Sequence, residues 1–206
     1  VKMGMDVYKL DKFQDALNEV GNIGSGKASG ALSRLINKEV KLNPPDIYLT
    51  PVKSIPELIG GPKQLVVGIY SAVSGDVSGT VLAVFSTESA LRLVDMLQNK
   101  KTGATKLLNK ADQIKLIGAG KALSQAYLAT ITEFLGLKIK HTEERIISTF
   151  GESLTDFVLL GIEEKYALLL RTKFSIPNTK IQGDFVLLIA LESITQILEA
   201  LRTQMG

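Results

Sequence analysis

The chain has 206 residues, 45% of them apolar and 22% charged, with a formal net charge of +3. That length buries a core for one domain or two small ones, and lysines and arginines interleaved with acids argue against a nucleic-acid-binding stripe. No cysteine is present, which excludes disulfides and thiolate metal sites, and the single histidine, His141, argues against a histidine-built metal centre or a Ser-His-Asp triad.

Taken in chain order, VKMGMDVYKL carries neither a long apolar run nor a cleavage pattern, so no signal peptide is expected. No stretch approaches the ~20 apolar residues that span a bilayer. The expectation is a soluble, cytoplasmic protein with no membrane partner. A helical period runs from about 9 to 37 and leads into strand-like LINKEV at 35–40. Proline and glycine between 44 and 62 mark a looser crossing in which IYLTPV still reads as a strand. LVVGIYSAVSG at 65–75 and DVSGTVLAVFS at 76–86 read as a hairpin turning at Ser74-Gly75-Asp76. A helix then opens at TESA around Thr87.

The order then repeats. A second helical period covers 110–136 and runs into FLGLKI, 99 residues after LINKEV. His141, at an apparent strand start, reads as a surface residue. VLLGIEEKYALLLRTKF at 158–174 reads as a second hairpin turning near Glu163-Glu164-Lys165, with IPNTKIQGD connecting to a last strand. GDFVLLIALESITQILEAL at 183–201 parallels GTVLAVFSTESALRLVDML, 104 residues earlier, with its helix opening at LESI around Glu192. A repeat at about half the chain length points to a fused duplication, not a solenoid. The expected fold is α/β (α+β): a single pseudo-twofold domain over 1–206, its repeated halves, about 9–100 and 109–206, sharing a β-sheet flanked by long helices.

At 100° per residue, the first helix gathers Phe13, Leu17, Val20, Ala28, Ala31 and Leu35 on one side as its core stripe. Asp15, Glu19 and Asn22 line the opposite face at i, i+4 and i+7, and Gly26, Ser29 and Ser33 continue it with small groups. The plain alternative is the polar side of any amphipathic helix. The glycines tilt that balance, because Gly21, Gly24 and Gly26 inside a helix each cost roughly 1 kcal/mol relative to alanine. They imply close packing on one side or close approach of a partner on the other. A rival reading is that GNIGSGK at 21–27 forms a phosphate-binding P-loop. Ala28 replaces the magnesium-binding hydroxyl, however, and the preceding DALNEV is helical and acidic where a P-loop follows an apolar strand. Gly24-Ser25-Gly26 lacks the third glycine of a dinucleotide fingerprint.

Asp15, Glu19, Asn22 and Pro45, with EVGNIGSGKA and LINKEV around them, resemble the CheC/CheX/FliY family of chemotaxis phosphatases, CheC most of all. The family pattern is Asp or Ser, three residues, Glu, two residues, Asn, then twenty-two residues and Pro. With the repeat, the resemblance covers nearly the whole chain. It implies hydrolysis of the aspartyl phosphate of a CheY-like response regulator, with Glu19 and Asn22 catalytic and Asp15 and Pro45 supporting. Asn22 would position an in-line water, Glu19 would pair with the receiver's lysine, Asp15 would be a rim contact, and Pro45 would fix the chain entering the next strand. No cofactor of the chain's own is implied, because the receiver supplies its Mg2+.

In the second copy, Ile114, Gly118, Lys121 and Glu144 stand where Asp15, Glu19, Asn22 and Pro45 stand in the first. Gly118-Ala119-Gly120-Lys121 keeps small residues but has neither acid nor amide, and reads as a degenerate site. The alternative function is a regulatory adaptor binding the deamidase CheD, a partner the resemblance also implies. A flagellar-switch role as in FliY-like proteins is not expected, since the chain ends soon after its last amphipathic helix. A monomer is expected, the duplication standing in for a homodimer.

Overall fold

The computed structural model describes residues 3–59, 61–158 and 166–205. The first half runs α1 (Met3–Ile36), β1 (Lys41–Leu42), β2 (Asp46–Pro51), α2 (Ile55–Leu58), β3 (Leu65–Gly75), β4 (Gly79–Ser86) and α3 (Thr87–Leu97). The second runs α4 (Lys110–Leu135), β5 (Ile139–His141), β6 (Arg145–Phe150), α5 (Gly151–Val158), β7 (Tyr166–Ser175), β8 (Gln182–Ala190) and α6 (Ile194–Met205). Local chemistry sets several of these bounds. Ser86 caps α3 by accepting from the Ser89 N–H, Asn109 and Asp112 form a reciprocal capping box on α4, and Gly136 ends α4 in the left-handed region at φ 67°. Helix α1 stops at Ile36, ahead of Asn37 at φ 51°, so Lys38 to Val40 lie outside it.

All strand pairs are antiparallel, in the order β1-β7-β8-β4-β3-β5, with β2 also on β7 and β6 also on β3. In the β4–β8 ladder Leu82 faces Val186, Gly79 faces Ile189 and Phe85 faces Gly183. Leu82 and Val186 are themselves 104 residues apart, as are Gly79 and Gly183, and Phe85 and Ile189. The register is therefore symmetric about the Leu82–Val186 pair, as a twofold axis through the sheet centre requires. The short strands β1 and β2 of the first half pair with β7 of the second, and β5 and β6 pair with β3 of the first. Each half thus completes the other's sheet.

Strand alternation sends residues to two unequal cores. Val81, Ala83, Phe85, Leu168, Leu170, Phe185 and Leu187 join the larger cluster with buried residues of α1, α3, α4 and α6. Leu82, Val84, Ala167, Leu169, Val186 and Leu188 pack on the other face with Ile55 of α2 and Leu154 of α5. With both faces covered over most of their length, β4 and β8 read as near-continuous apolar runs.

The first arm of the hairpin expected at 158–174 lies almost wholly outside the described residues, and Val158 ends a helix. Residues 151–158 form helix α5, and β7 pairs with β8 through the connection at 176–181. The expected turn at 163–165 lies outside the described residues. Amphipathic GESLTDFV forms α5, and its Leu154 seals the smaller core.

The link between α3 and α4 hangs on buried Asp95, which accepts from the backbone N–H groups of Gly103 at 2.6 Å, Thr105 at 2.9 Å and Ala104 at 3.0 Å. Asp112 accepts from the Asn109 N–H at 3.0 Å and from Gln98 Nε2 at 2.6 Å. Burial pushes the Asp95 carboxyl up, but donation from Thr105, Gly103 and Ala104 outweighs it and holds the group below its ordinary 3.8. The Asn109 N–H, then Gln98, lower Asp112 against the opposing pull of burial. Both carboxylates are favoured in the folded chain, so their contribution is complete above about pH 4 and lost as pH falls through the lowered values. Asp95→Ala is expected to destabilise the fold by about 1–3 kcal/mol at pH 7, since it strands three backbone donors. Urea denaturation at pH 7 and below pH 4 checks this: the gap between wild type and variant should shrink in acid.

Candidate active site on helix α1

Helix α1 is buried along Leu17, Val20, Ala28, Leu32 and Ile36, and exposes Asp15, Glu19 and Asn22 along one line. The acid–acid–amide row expected from the periodicity is therefore on the surface. Among the described residues, none of the three makes a hydrogen bond or ion pair. Leu35, expected in the core, is 50% exposed, because Leu32 and Ile36 take the inward positions of the last turn. The side chain of Phe13 lies outside the described residues. Ser29 and Ser33 do not extend a bare face. The Ser29 hydroxyl donates to the Val40 carbonyl, and Ser33 Oγ accepts from the Val40 N–H at 2.9 Å, so together they fasten the chain leaving the helix.

The glycines divide by what lies beside them. A Cβ on Gly21 would overlap the ring of Pro45, and one on Gly24 would sit 3.1 Å from the ring of Tyr127, tighter than most real contacts. These two positions are small because the chain packs on itself. A Cβ on exposed Gly26 would meet nothing within 4 Å. Pro45 is buried immediately before β2 and contacts the same turn of α1 that carries Glu19 and Asn22. Its packing on Gly21, like the bonds of Ser29 and Ser33 to Val40, is a relation that the linear pattern did not disclose.

The P-loop alternative fails on geometry. Residues 21–27 lie inside a continuous α-helix, so the N–H groups that would cradle a phosphate are committed to the helix ladder. Among the described residues no group of three or more His, Asp or Glu side chains could hold a metal. No helix is long and apolar enough to cross a membrane, again among the described residues.

On α4 the equivalent face is Ile114, 60% exposed, with exposed Gly118 and Lys121. Glu144, in the place of Pro45, is buried, with its carboxylate 3.5 Å from His141 Nδ1. His141 ends strand β5, and is half-buried rather than a free surface residue.

The arrangement defines a class: a mixed α/β domain presenting an unpaired acid–amide row on a long helix held against its sheet. The CheC-like family model matches residues 14–49, which run from that row through Pro45 into β2. The CheY-P phosphatase CheC of Bacillus subtilis (strain 168) is 30% identical over 81 residues, 38% of this chain and 39% of that relative's length. Among solved structures, Thermotoga maritima FliY superposes with a TM-score of 0.76 at 14% identity, covering 94% of this chain and 97% of that one. The Borrelia burgdorferi CheX-CheY-BeF3-Mg+2 complex gives 0.55 at 18% identity, covering 82% and 96%. A chain of the FliG-FliM complex from H. pylori gives 0.66 at 11% identity, covering 91% and 98%. The solved structures establish the fold; the family match at the site helix and the CheC relative add the sequence evidence. The chain is thus similar to the CheC-like family over residues 14–49, and spans about two fifths of the length of the CheC relative it matches.

Proposed function

We propose that this chain hydrolyses the aspartyl phosphate of a CheY-like response regulator. The observation that carries the reading is the free Glu19–Asn22 pair, one helical turn apart on the exposed face of α1, inside the stretch that the CheC-like model matches. An aspartyl phosphate is an acyl phosphate: water attacks phosphorus, the bond to the aspartate oxygen breaks, and the carboxylate leaves. Such a reaction needs positioning more than a protein nucleophile. The Asn22 carbonyl oxygen accepts from the attacking water while its NH2 donates to a neighbouring oxygen. Glu19 pairs with the receiver's lysine and sets the register of the helix in the cleft. Asp15 contacts the rim, and Pro45 supports the helix from beneath. The Mg2+ belongs to the receiver.

The open surface at Gly26 supports the same reading, since a helix bearing no side chain there admits a partner's backbone closely. The two halves read as copies of one unit, the second having lost its acid and amide at Gly118 and Lys121. A monomer acting in the cytoplasm, and a second partner in the deamidase CheD, go with this proposal. The test is phosphate release from a CheY-like receiver loaded with Mg2+ and acetyl phosphate. Acceleration over the receiver's own decay supports the proposal. No acceleration, with CheD or without it, sinks it and leaves the adaptor reading.

A further inference from the structure

The sheet face turned away from α1 is only half covered. Thr172 of β7 points toward α1, its hydroxyl 3.4 Å from that of Ser25. By alternation Ala167, Leu169, Arg171 and Lys173 take the opposite face. Ala167 and Leu169 lie in the smaller core with Ile55 and Leu154, but the strand then changes from apolar to cationic. Over that end lies a cleft of about 410 Å3, lined by Arg171, Lys173, Asp184, Gln182, Gln64 and Ser86 among others. Its volume falls in the range of small-molecule pockets, roughly 300–1,000 Å3.

The charges in the cleft are unevenly engaged. Arg171 donates from Nε to Asp184 Oδ1 at 2.7 Å, and both side chains are largely buried, which fixes the guanidinium plane. Among the described residues its remaining N–H groups have no partner, and exposed Lys173 forms no ion pair. Among the described residues that line the cleft, the one acid, Asp184, is thus occupied in holding Arg171, while two cationic heads and the side-chain amides of Gln64 and Gln182 remain as donors. Two residues apart on one strand face, the cations emerge about 7 Å from each other. Arg171 suits a planar oxyanion met by two N–H groups, and Lys173 a second point charge.

We infer that this cleft binds a small molecule bearing two oxyanionic groups, one on Arg171 and one on Lys173, at a site on the opposite sheet face from Glu19 and Asn22. Dicarboxylates and diphosphates share that chemistry. The test is calorimetric titration of the full chain at low ionic strength with succinate and pyrophosphate, and with inorganic phosphate as the single-anion reference. Saturable one-site binding of succinate or pyrophosphate is expected, at least tenfold tighter than phosphate, and the tighter probe identifies the source. Lys173→Gln, at an exposed position, should weaken it about tenfold or more; Gln64→Glu, also exposed, should weaken it by adding a like charge. Lys121→Gln, remote on α4, should not change it. The inference is overturned if neither probe saturates the folded wild type, if phosphate binds as tightly as both, or if Lys173→Gln weakens binding no more than Lys121→Gln.

Discussion

Asn22→Ala is expected to remove the acceleration of receiver dephosphorylation while leaving the fold and receiver binding nearly unchanged. The side chain is exposed and makes no hydrogen bond among the described residues, so truncating it strands nothing inside the chain. Its proposed role is to hold one water in line with phosphorus, and losing such positioning costs on the order of 100-fold in rate. Glu19→Ala should instead weaken receiver binding as well as the rate, because an acid that pairs with the receiver's lysine acts on docking too. The measurements are phosphate release under single turnover, binding to the phosphorylated receiver, and thermal unfolding of each variant. If Asn22→Ala keeps the full acceleration with an unchanged melting temperature, the chemistry lies elsewhere.

Substitutions at Gly21 and Gly26 are expected to act in opposite directions on stability, five residues apart on one helix. Gly26→Ala should stabilise the chain by about 1 kcal/mol, the helix-propensity gain, since the new methyl meets nothing. Gly21→Ala drives a methyl into the Pro45 ring, and overpacking of that kind costs about 1–3 kcal/mol. Urea denaturation of both variants reads the contrast. Gly26→Leu carries the functional half of the prediction. The open space accepts it without loss of fold, yet it interposes a bulky group where the receiver would approach. A misfit of about 1–3 kcal/mol there lowers affinity by roughly fivefold to a hundredfold. Unchanged receiver binding by a stable Gly26→Leu would show that the partner does not press on this part of α1.

The polar row of α1 was legible because helical periodicity is local: with Leu17, Val20 and Ala28 inward, Asp15, Glu19 and Asn22 have to face out. The same periodicity misplaced Leu35, since at the last turn the neighbours that decide which side is inside belong to other elements. It also left Ser29 and Ser33 on a bare face, because their bonds to Val40 depend on how the chain folds back after Asn37. Helix α5 at residues 151–158 was not read from the sequence for a related reason. Short apolar stretches fit a strand or a buried helix equally well until a second core exists to receive Leu154.

The sequence by itself determined the two long helices, the β3–β4 hairpin, the opening of α3 around Thr87 and the spacing of Asp15, Glu19, Asn22 and Pro45, all of which rest on contacts a few residues apart or on simple counting. Tertiary structure alone decided that the halves exchange their short strands, β1 and β2 going to β7 while β5 and β6 go to β3. It also decided that Pro45 reaches back to seat on Gly21, and that Arg171 and Lys173 line a cleft beyond the cover of α2 and α5. The physical reason is the same in each case. Backbone pairing and burial are satisfied by whichever partner the whole chain brings alongside, and periodicity within one segment carries no information about that partner.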